Sequence, residues 1–356
     1  MAKQTGTADN YLDLMTAFRD FITGVSPTIS WITVRDTSTS PVGANSPNTT
    51  EMIFQGDASN GGSPARNLYF GIRSYETPAS SIFGWELRGF TGFDPGSPLG
   101  SITFENQPDP SPPVYIPLQN TTMTYWFWAN ERRVMMVVKT GTSYQWMHAG
   151  FLDTFATENE YPYPLMVMGS TPSNTVPFSS NSLDFSTIID PIGNGTETPI
   201  SGATSPMWLR FADGQWYPIK NGSGTTTITE KRQRGVWPLV GYSAADWPTD
   251  GGTAAVREFR QRFYGTQAGA TPSAFLAQTP GSPDDITPLY PLTIIFSEPS
   301  RQMIGEISGA FWVSASGGVT AEDEIFDKGV SPAQRYLVFQ NIHRTDPWEF
   351  GAVKDE

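Results

Sequence analysis

The sequence contains no cysteine and only two histidines, His148 and His343. Without cysteine the chain cannot form disulfides, thiolate zinc sites or iron–sulfur clusters, and it has no cysteine nucleophile. Neither histidine lies in a recognisable metal-ligand or catalytic motif, and we interpret both as structural. The two absences together leave few nitrogen and sulfur ligands for a metal site.

Basic residues are also scarce, since 22 Lys and Arg stand against 35 Asp and Glu for a net charge of −13. The longest basic cluster is the KRQR stretch at residues 231–234. An acidic surface repels the phosphates of nucleic acids and of anionic lipids. We therefore expect no nucleic acid and no membrane among the partners of this chain.

Long apolar runs are missing as well. No run reaches the roughly 18 apolar residues of a membrane-spanning helix. The first ten residues, MAKQTGTADN, lack the apolar centre of a secretory signal peptide. We expect the chain to be made and folded in a cytoplasm.

Glycine, proline and aromatic residues are plentiful, with 34 Gly, 30 Pro and 13% Phe, Trp and Tyr. This composition is typical of short strands joined by turns and long polar loops. We expect a mostly β fold of β-sandwich-like sheets, with an N-terminal helix and one further short helix within residues 253–264. A polar tract at residues 170–205 predicts a boundary between an N-terminal helix-plus-β domain, 1–170, and a second β-rich domain, 171–356.

The N-terminal helix is predicted from apolar residues at helical spacing, with Asp9 as N-cap and Gly24 at the end. We consider two roles for its apolar face: packing on a sheet of the same chain, or docking on a neighbouring subunit. In the second role Tyr11, Leu14 and Phe18 are candidate interface residues. The apolar positions are Tyr11, Leu14, Met15, Phe18, Phe21 and Ile22.

Several segments alternate apolar and polar residues and are predicted to be strands with one buried face. The aromatic-rich segment at residues 207–219 predicts a hairpin that turns at Asp213 and Gly214. The predicted strands lie within residues 29–36, 50–56, 67–76, 84–93, 289–298, 304–315 and 335–344.

The most apolar segment, YWFWANERRVMMVV at residues 125–138, predicts a hairpin with no polar face. Tyr125 and Phe127 would lie on one side of its first strand, and Trp126 and Trp128 on the other. A sheet with one face in water does not have this pattern. We therefore expect a central hairpin covered on both faces, by another sheet and by the N-terminal helix or a neighbouring subunit.

No motif of a known catalytic class is present, so we expect no enzyme, no cofactor and no bound metal. Glu158 and Glu160 form a weak candidate for a glycosidase pair acting on the cell envelope. The acidic segment AEDEIFD, residues 321–327, is a calcium-site candidate, but it lacks the glycine and ligand spacing of a calcium loop. A solvated acidic turn is the interpretation that we prefer for it.

The abundance of aromatics, with 11 Trp, 13 Tyr and 22 Phe, favours a protein that acts through contacts with other chains. We expect Trp237 and Trp247 to lie in exposed loops, and they are candidate contact residues. An alternative function uses the same tryptophans to stack on a host glycan at a receptor-binding tip.

Several segments resemble a family of structural proteins from the virions of tailed bacteriophages. The most specific is YWFWANERRVMMVVKTGTSYQWMHAGFLDTFATENEYPYPLMVMGS, residues 125–170, and weaker matches follow in the same order over nearly the whole chain. They include TGTADNYLDLMTAFRDFIT, LYFGIRSYE, FGWELRGFTGF, MWLRFADGQWYPI, GEISGAFWVSASGG and RYLVFQNIHRTDPWEFGAV. The loops within residues 170–205 and 248–285 depart from the family pattern.

The resemblance implies a multi-copy tail component in the virion, at the baseplate or as a ring or adaptor associated with the tail tube. It also implies other tail proteins of the tube, sheath or baseplate as partners, and a homo-oligomer for which tail symmetry favours a sixfold ring. A neck or collar protein is the alternative position. The resemblance transfers no catalytic residue.

Overall fold

The computed structural model describes most of the N-terminal half and separate strands of the C-terminal half. The described residues are 1–24, 31–38, 49–57, 67–97, 100–157, 160–171, 174–175, 206–218, 234–237, 289–296, 302–313, 319–327, 329, 332–340 and 350–355. Within them the chain is mostly β and all strand pairs of its three sheets are antiparallel, which confirms the predicted fold class. The predicted second helix, Trp247, Glu158 and His343 lie outside the described residues.

One α-helix and 19 strands are described, together with short 3-10 turns at Pro78–Ser80 and Phe104–Asn106. The helix, α1, is Tyr11–Gly24. The strands of the N-terminal half are β1 (Ala2–Ala8), β2 (Ile32–Asp36), β3 (Glu51–Asp57), β4 (Asn67–Thr77), β5 (Ile82–Phe90), β6 (Val114–Leu118), β7 (Met123–Ala129), β8 (Arg133–Thr140), β9 (Ser143–Phe151), β10 (Asp153–Thr154) and β11 (Leu165–Met168). Those that follow are β12 (Met207–Arg210), β13 (Trp216–Pro218), β14 (Arg234–Trp237), β15 (Leu289–Phe296), β16 (Gln302–Val313), β17 (Glu324–Asp327), β18 (Gln334–Gln340) and β19 (Phe350–Asp355).

The strands form a central sheet and two flanking sheets. The central sheet has seven strands in the order β1-β7-β8-β9-β11-β12-β13. The second sheet has five, in the order β2-β3-β4-β5-β6, and the third runs β14-β15-β16-β19-β18-β17 with β10 paired to β16. No helix within the described residues has the length and apolar character needed to cross a membrane.

Helix α1 forms where the sequence predicts, but its N-cap is Asn10 and not Asp9. The Asn10 Oδ1 atom accepts hydrogen bonds from the backbone N–H of Leu12 (2.8 Å) and of Asp13 (2.9 Å). Such a side chain satisfies N–H groups that have no partner inside the first turn. Asp9 and Asn10 are both good capping residues, so composition alone could not choose between them.

The central sheet separates two hydrophobic cores. The first core lies between this sheet, α1 and the five-stranded sheet, and the second core lies between this sheet and the third sheet. Members of the first core include Phe18, Phe54, Phe70, Trp85, Phe127, Met136 and Val138. Members of the second core include Trp126, Trp128, Met135, Val137, Trp146, Leu292 and Phe339.

The β7–β8 hairpin therefore has both faces buried, as the sequence predicts. Phe127 is 0% exposed in the first core, and Trp126 is 9% exposed in the second. The covering elements are α1 and the two flanking sheets of the same chain, so no neighbouring subunit is needed to bury this hairpin.

Among the described residues, two strand pairs cross the predicted domain boundary. β11, which ends at Met168, pairs with β12, and β13 then extends the same sheet. β10 pairs with β16 of the third sheet. The division at residue 170 stays a prediction, and these pairings mean that elements from both sides of it share sheets.

Candidate functional site

The candidate interface residues of α1 face the interior of their own chain. Tyr11 is 3% exposed, and Leu14 and Phe18 are 0% exposed. The Phe18 ring lies 5.3 Å from the ring of Phe127 and 6.0 Å from that of Trp85, both measured between centroids. The structure thus corrects the docking-helix hypothesis: the apolar face of α1 packs on the sheets, which was the other of the two roles considered.

The tryptophan candidates lie in the sparsely described half. Trp237 is not in a loop as expected: it ends β14, where its backbone pairs with Thr293 of β15. Trp247 lies outside the described residues. Their proposed roles in protein or glycan contact stay predictions.

His148 is in the centre of the central sheet, on β9 between Met135 of β8 and Met168 of β11. It is 1% exposed, and neither ring nitrogen has a hydrogen-bond partner in the described part of the chain. Burial, reinforced by the nearby charge of Arg133, lowers the pKa of His148 to about 3. The imidazole is therefore neutral at physiological pH.

The acidic candidates do not converge on a common point. Glu322 accepts hydrogen bonds from Lys139 (2.5 Å) and the Tyr144 hydroxyl (2.6 Å). Three other carboxylates have separate partners: Asp323 bonds the backbone N–H of Thr320, Glu324 the Arg335 side chain, and Asp327 the N–H of Gly329. Among the described residues, no three His, Cys, Asp or Glu side chains are grouped to hold a metal.

Glu160, the described member of the proposed glycosidase pair, is exposed. Its carboxylate accepts a hydrogen bond from the backbone N–H of Thr157 at 3.1 Å, within one turn. Through this contact Glu160 stabilises a local turn. Glu158 lies outside the described residues, so the pair itself stays a prediction.

Among the described residues, the densest charged group lies on the outer face of the five-stranded sheet, and sequence analysis missed it. Arg73 of β4 contacts Glu86 of β5 at 2.6 Å and also pairs with Glu105. Glu86 in turn accepts from Arg88 at 2.5 Å. We call this set, together with Arg35 and Glu51, the charge ladder; it contains Arg35, Glu51, Arg73, Glu86, Arg88 and Glu105.

The charge ladder is partly removed from solvent. Glu86 is 5% exposed, and the Arg73 guanidinium also lies over the Phe104 ring at 5.1 Å. Burial raises the pKa of Glu51 even though Arg35 lies 2.6 Å from it. Each charge has a partner inside the set, so the arrangement stabilises the pairing of neighbouring strands.

The sequence held a signal for the ladder in the polar positions that alternate with apolar ones along β3, β4 and β5. Those positions predict an outward face for Glu51, Arg73 and Glu86. They do not predict which charges meet, because strand register sets the cross-strand neighbours. In the structure Arg73 lies opposite both Glu51 and Glu86.

Exposed groups suited to contact with other chains lie at the sheet edges. Ile32 on end strand β2 is 53% exposed and Phe326 on end strand β17 is 49% exposed. Phe155, just after β10, is 55% exposed. The remaining end strands are β1, β6, β13, β14 and the two-residue β10.

No protein-family model matches this chain, and no curated protein matches it either.

Proposed function

We propose that this chain is a structural component of a bacteriophage tail, acting at the baseplate or as a tube-associated ring or adaptor. Its partners on this proposal are copies of itself and other tail proteins of the tube, sheath or baseplate. A sixfold ring is the arrangement that tail symmetry favours. The chain works in the virion after assembly in the host cytoplasm.

One observation carries the proposal. The segment that most resembles the phage family, residues 125–170, supplies β7, β8, β9 and β11, the middle of the central sheet. Both faces of its β7–β8 hairpin are buried within the chain, so its aromatic residues serve the core. Contacts with other chains are left to sheet edges and loops, where Ile32, Phe155 and Phe326 are exposed.

The charge ladder supports the same function in a second way. Ion pairs that tie neighbouring strands together hold a sheet in one register and shape. A component repeated in a symmetric assembly needs that constancy, because the same surface must fit at every copy.

Immunogold electron microscopy of particles from a phage lysate tests the proposal, with antibody raised against this chain. We expect gold at the distal end of the tail. Gold at the head–tail junction would keep the structural role and move the chain to the neck or collar. Unlabelled particles, with the chain free in the soluble fraction, would contradict a virion role.

A glycan array separates the tail-component proposal from the receptor-binding alternative. We expect no glycan to bind the purified chain. Binding that is lost in Trp247→Ala would transfer the function to a receptor-binding tip. Binding that persists in that variant would point to a glycan site elsewhere on the chain.

A further inference from the structure

Strand β1 is an open edge of the central sheet. It pairs with β7 in one unbroken register, from Ala2 opposite Ala129 to Ala8 opposite Met123. Within the described part of the chain, no further strand pairs with its other side. Such an edge presents backbone N–H and C=O groups that an additional extended chain can satisfy.

The other six end strands each carry a feature that discourages edge-to-edge pairing, such as a bulge, proline, charge or, in the two-residue β10, short length. With seven residues, β1 is longer than any of them and has no bulge and no proline. β2 has a register shift between Thr33 and Arg35, and β6 contains Pro117. β13 has only three residues and ends at Pro218, and β14 has only four and is followed in the sequence by Pro238. β17 has four residues, two of which are the charged Glu324 and Asp327.

The one charged side chain of β1, that of Lys3, does not protect the edge against pairing with another strand. The Lys3 ammonium group lies 2.8 Å from the Asp355 carboxylate on β19, and that carboxylate is 1% exposed. Lys3 is thereby drawn to the third sheet, where it shares the Asp355 carboxylate with Arg335. Thr5 and Thr7, the exposed residues of β1, are neutral and β-branched, which suits cross-strand pairing.

We propose that β1 is an intermolecular pairing surface, on which the β1 strand of a second copy lies antiparallel and continues the central sheet. A twofold axis through the edge makes the two strands antiparallel and joins identical surfaces. In the fully overlapped register Thr5 of one copy faces Thr5 of the other, and Lys3 faces Thr7. No like charges are then opposite each other.

The choice of a second copy as occupant follows from the comparison of edges. Pairing needs an unprotected strand on both sides, and β1 is the one end strand among the described residues without a protecting feature. The partner edge that the described part of this chain can offer is therefore β1 again. The inference does not depend on the tail proposal, since a purified chain would pair in the same way.

A charge-insertion variant tests whether β1 mediates association. We expect wild type to sediment at about twice its 39.0 kDa chain mass, and Thr5→Lys/Thr7→Lys to weaken association by roughly tenfold or more, because lysines would face each other across the twofold axis. The matched control is Thr121→Lys/Thr122→Lys, in the exposed turn before β7, which should associate like wild type. Circular dichroism confirms that each variant folds.

Two outcomes of this experiment would overturn the proposal. The first is a wild-type chain that stays monomeric at every concentration. The second is association with an unchanged midpoint in a folded Thr5→Lys/Thr7→Lys variant, since the contact would then use another surface.

Cysteine cross-linking tests the antiparallel register itself, and the absence of natural cysteine removes any background. Residues directly opposite in antiparallel strands have Cα atoms about 4.5–5.5 Å apart, within the range that a disulfide spans. We expect Thr5→Cys to give a covalent dimer under mild oxidation much faster than Thr121→Cys. Equal rates for the two variants would contradict pairing about Thr5.

Discussion

Trp126 and Phe127 are consecutive residues of one strand, and their side chains lie in different cores. The Phe127 ring is 5.3 Å from the ring of Phe18 on α1, while the Trp126 ring is 4.9 Å from the ring of Phe339 on β18, both between centroids. The central sheet thus lies between the two cores and contributes side chains to both. This explains why the β7–β8 hairpin has no polar face.

Truncating either residue should destabilise the fold strongly. We expect Phe127→Ala and Trp126→Ala each to lower the free energy of unfolding by about 3–5 kcal/mol, through lost burial and the cavity left behind. Phe155→Ala, at an exposed aromatic, should change it by less than about 0.5 kcal/mol. Urea denaturation followed by circular dichroism measures all three. A loss under about 1 kcal/mol at Trp126 would mean that the second core is not packed as described.

The two cores should also respond independently. In double-mutant cycles Phe18→Ala and Phe127→Ala should couple by about 0.5–1.5 kcal/mol, because their rings are in contact. Phe18→Ala and Trp126→Ala should be additive within about 0.5 kcal/mol, since the sheet lies between them. Equal coupling in both cycles would contradict the separation of the cores.

Much of this architecture could be predicted from the sequence, because hydrophobic periodicity reports burial directly. The hairpin at residues 125–138, helix α1 and the strands in residues 50–93 are where the patterns place them. Strand β1 was missed, since AKQTGTA has no apolar alternation and is a strand through its pairing with β7. Tertiary pairing of this kind leaves little local signal.

The neutral, buried His148 makes stability depend on pH. In the unfolded chain its pKa is about 6.5, whereas burial holds the pKa in the folded chain at about 3. As the pH falls below about 6.5 the unfolded state takes up a proton and the folded state does not, so the free energy of unfolding decreases by up to about 1.4 kcal/mol per pH unit. Above that pH the imidazole is neutral in both states, so His148 no longer makes the free energy of unfolding depend on pH.

His148→Leu removes this dependence while keeping a side chain of similar volume. Between pH 7 and pH 5 we expect wild type to lose about 2 kcal/mol more stability than the variant. The comparison cancels the effects of every other titrating group. Parallel pH profiles for the two proteins would show that His148 can be protonated in the folded state.

Removing Arg73, the central arginine of the charge ladder, leaves two arginines, Arg35 and Arg88, to balance three carboxylates. We expect Arg73→Met to destabilise the fold by about 1.5–3 kcal/mol, because the buried Glu86 loses one of its two arginine partners and keeps only Arg88. The double variant Arg73→Met/Glu86→Gln should recover part of that loss. Thermal or urea unfolding measures both variants.

The exposed pair of Lys139 and Glu322 provides the control for the charge ladder. These side chains are 38% and 41% exposed, so Lys139→Met should cost less than about 1 kcal/mol. An Arg73→Met loss as small as that of the control would show that the ladder is effectively solvated.

The N-cap assignment can be tested with neighbouring residues. Asn10→Ala should lower the free energy of unfolding by about 1 kcal/mol, because two backbone N–H groups lose their acceptor. Asp9→Ala should have an effect of under about 0.5 kcal/mol. The reverse order in urea denaturation would restore Asp9 as the cap.

The candidate sites were harder to predict than the fold. The sequence pattern assigned Tyr11, Leu14 and Phe18 one shared face, but a stripe of apolar residues looks the same whether it packs within the chain or on a neighbour. The charge ladder depends on register between β3, β4 and β5, which no single segment encodes. Edge exposure of β1 likewise emerges only once the sheet order is known.

Hydrogen exchange of the purified chain, followed by mass spectrometry, tests most directly whether the β7–β8 hairpin is core and not a docking surface. We predict that peptides from Met123–Ala129 and Arg133–Thr140 exchange only through global unfolding, and far more slowly than the turn at residues 120–122. Exchange of the hairpin as fast as that turn, with protection appearing only on assembly with a partner, would contradict the account and make the hairpin an interface.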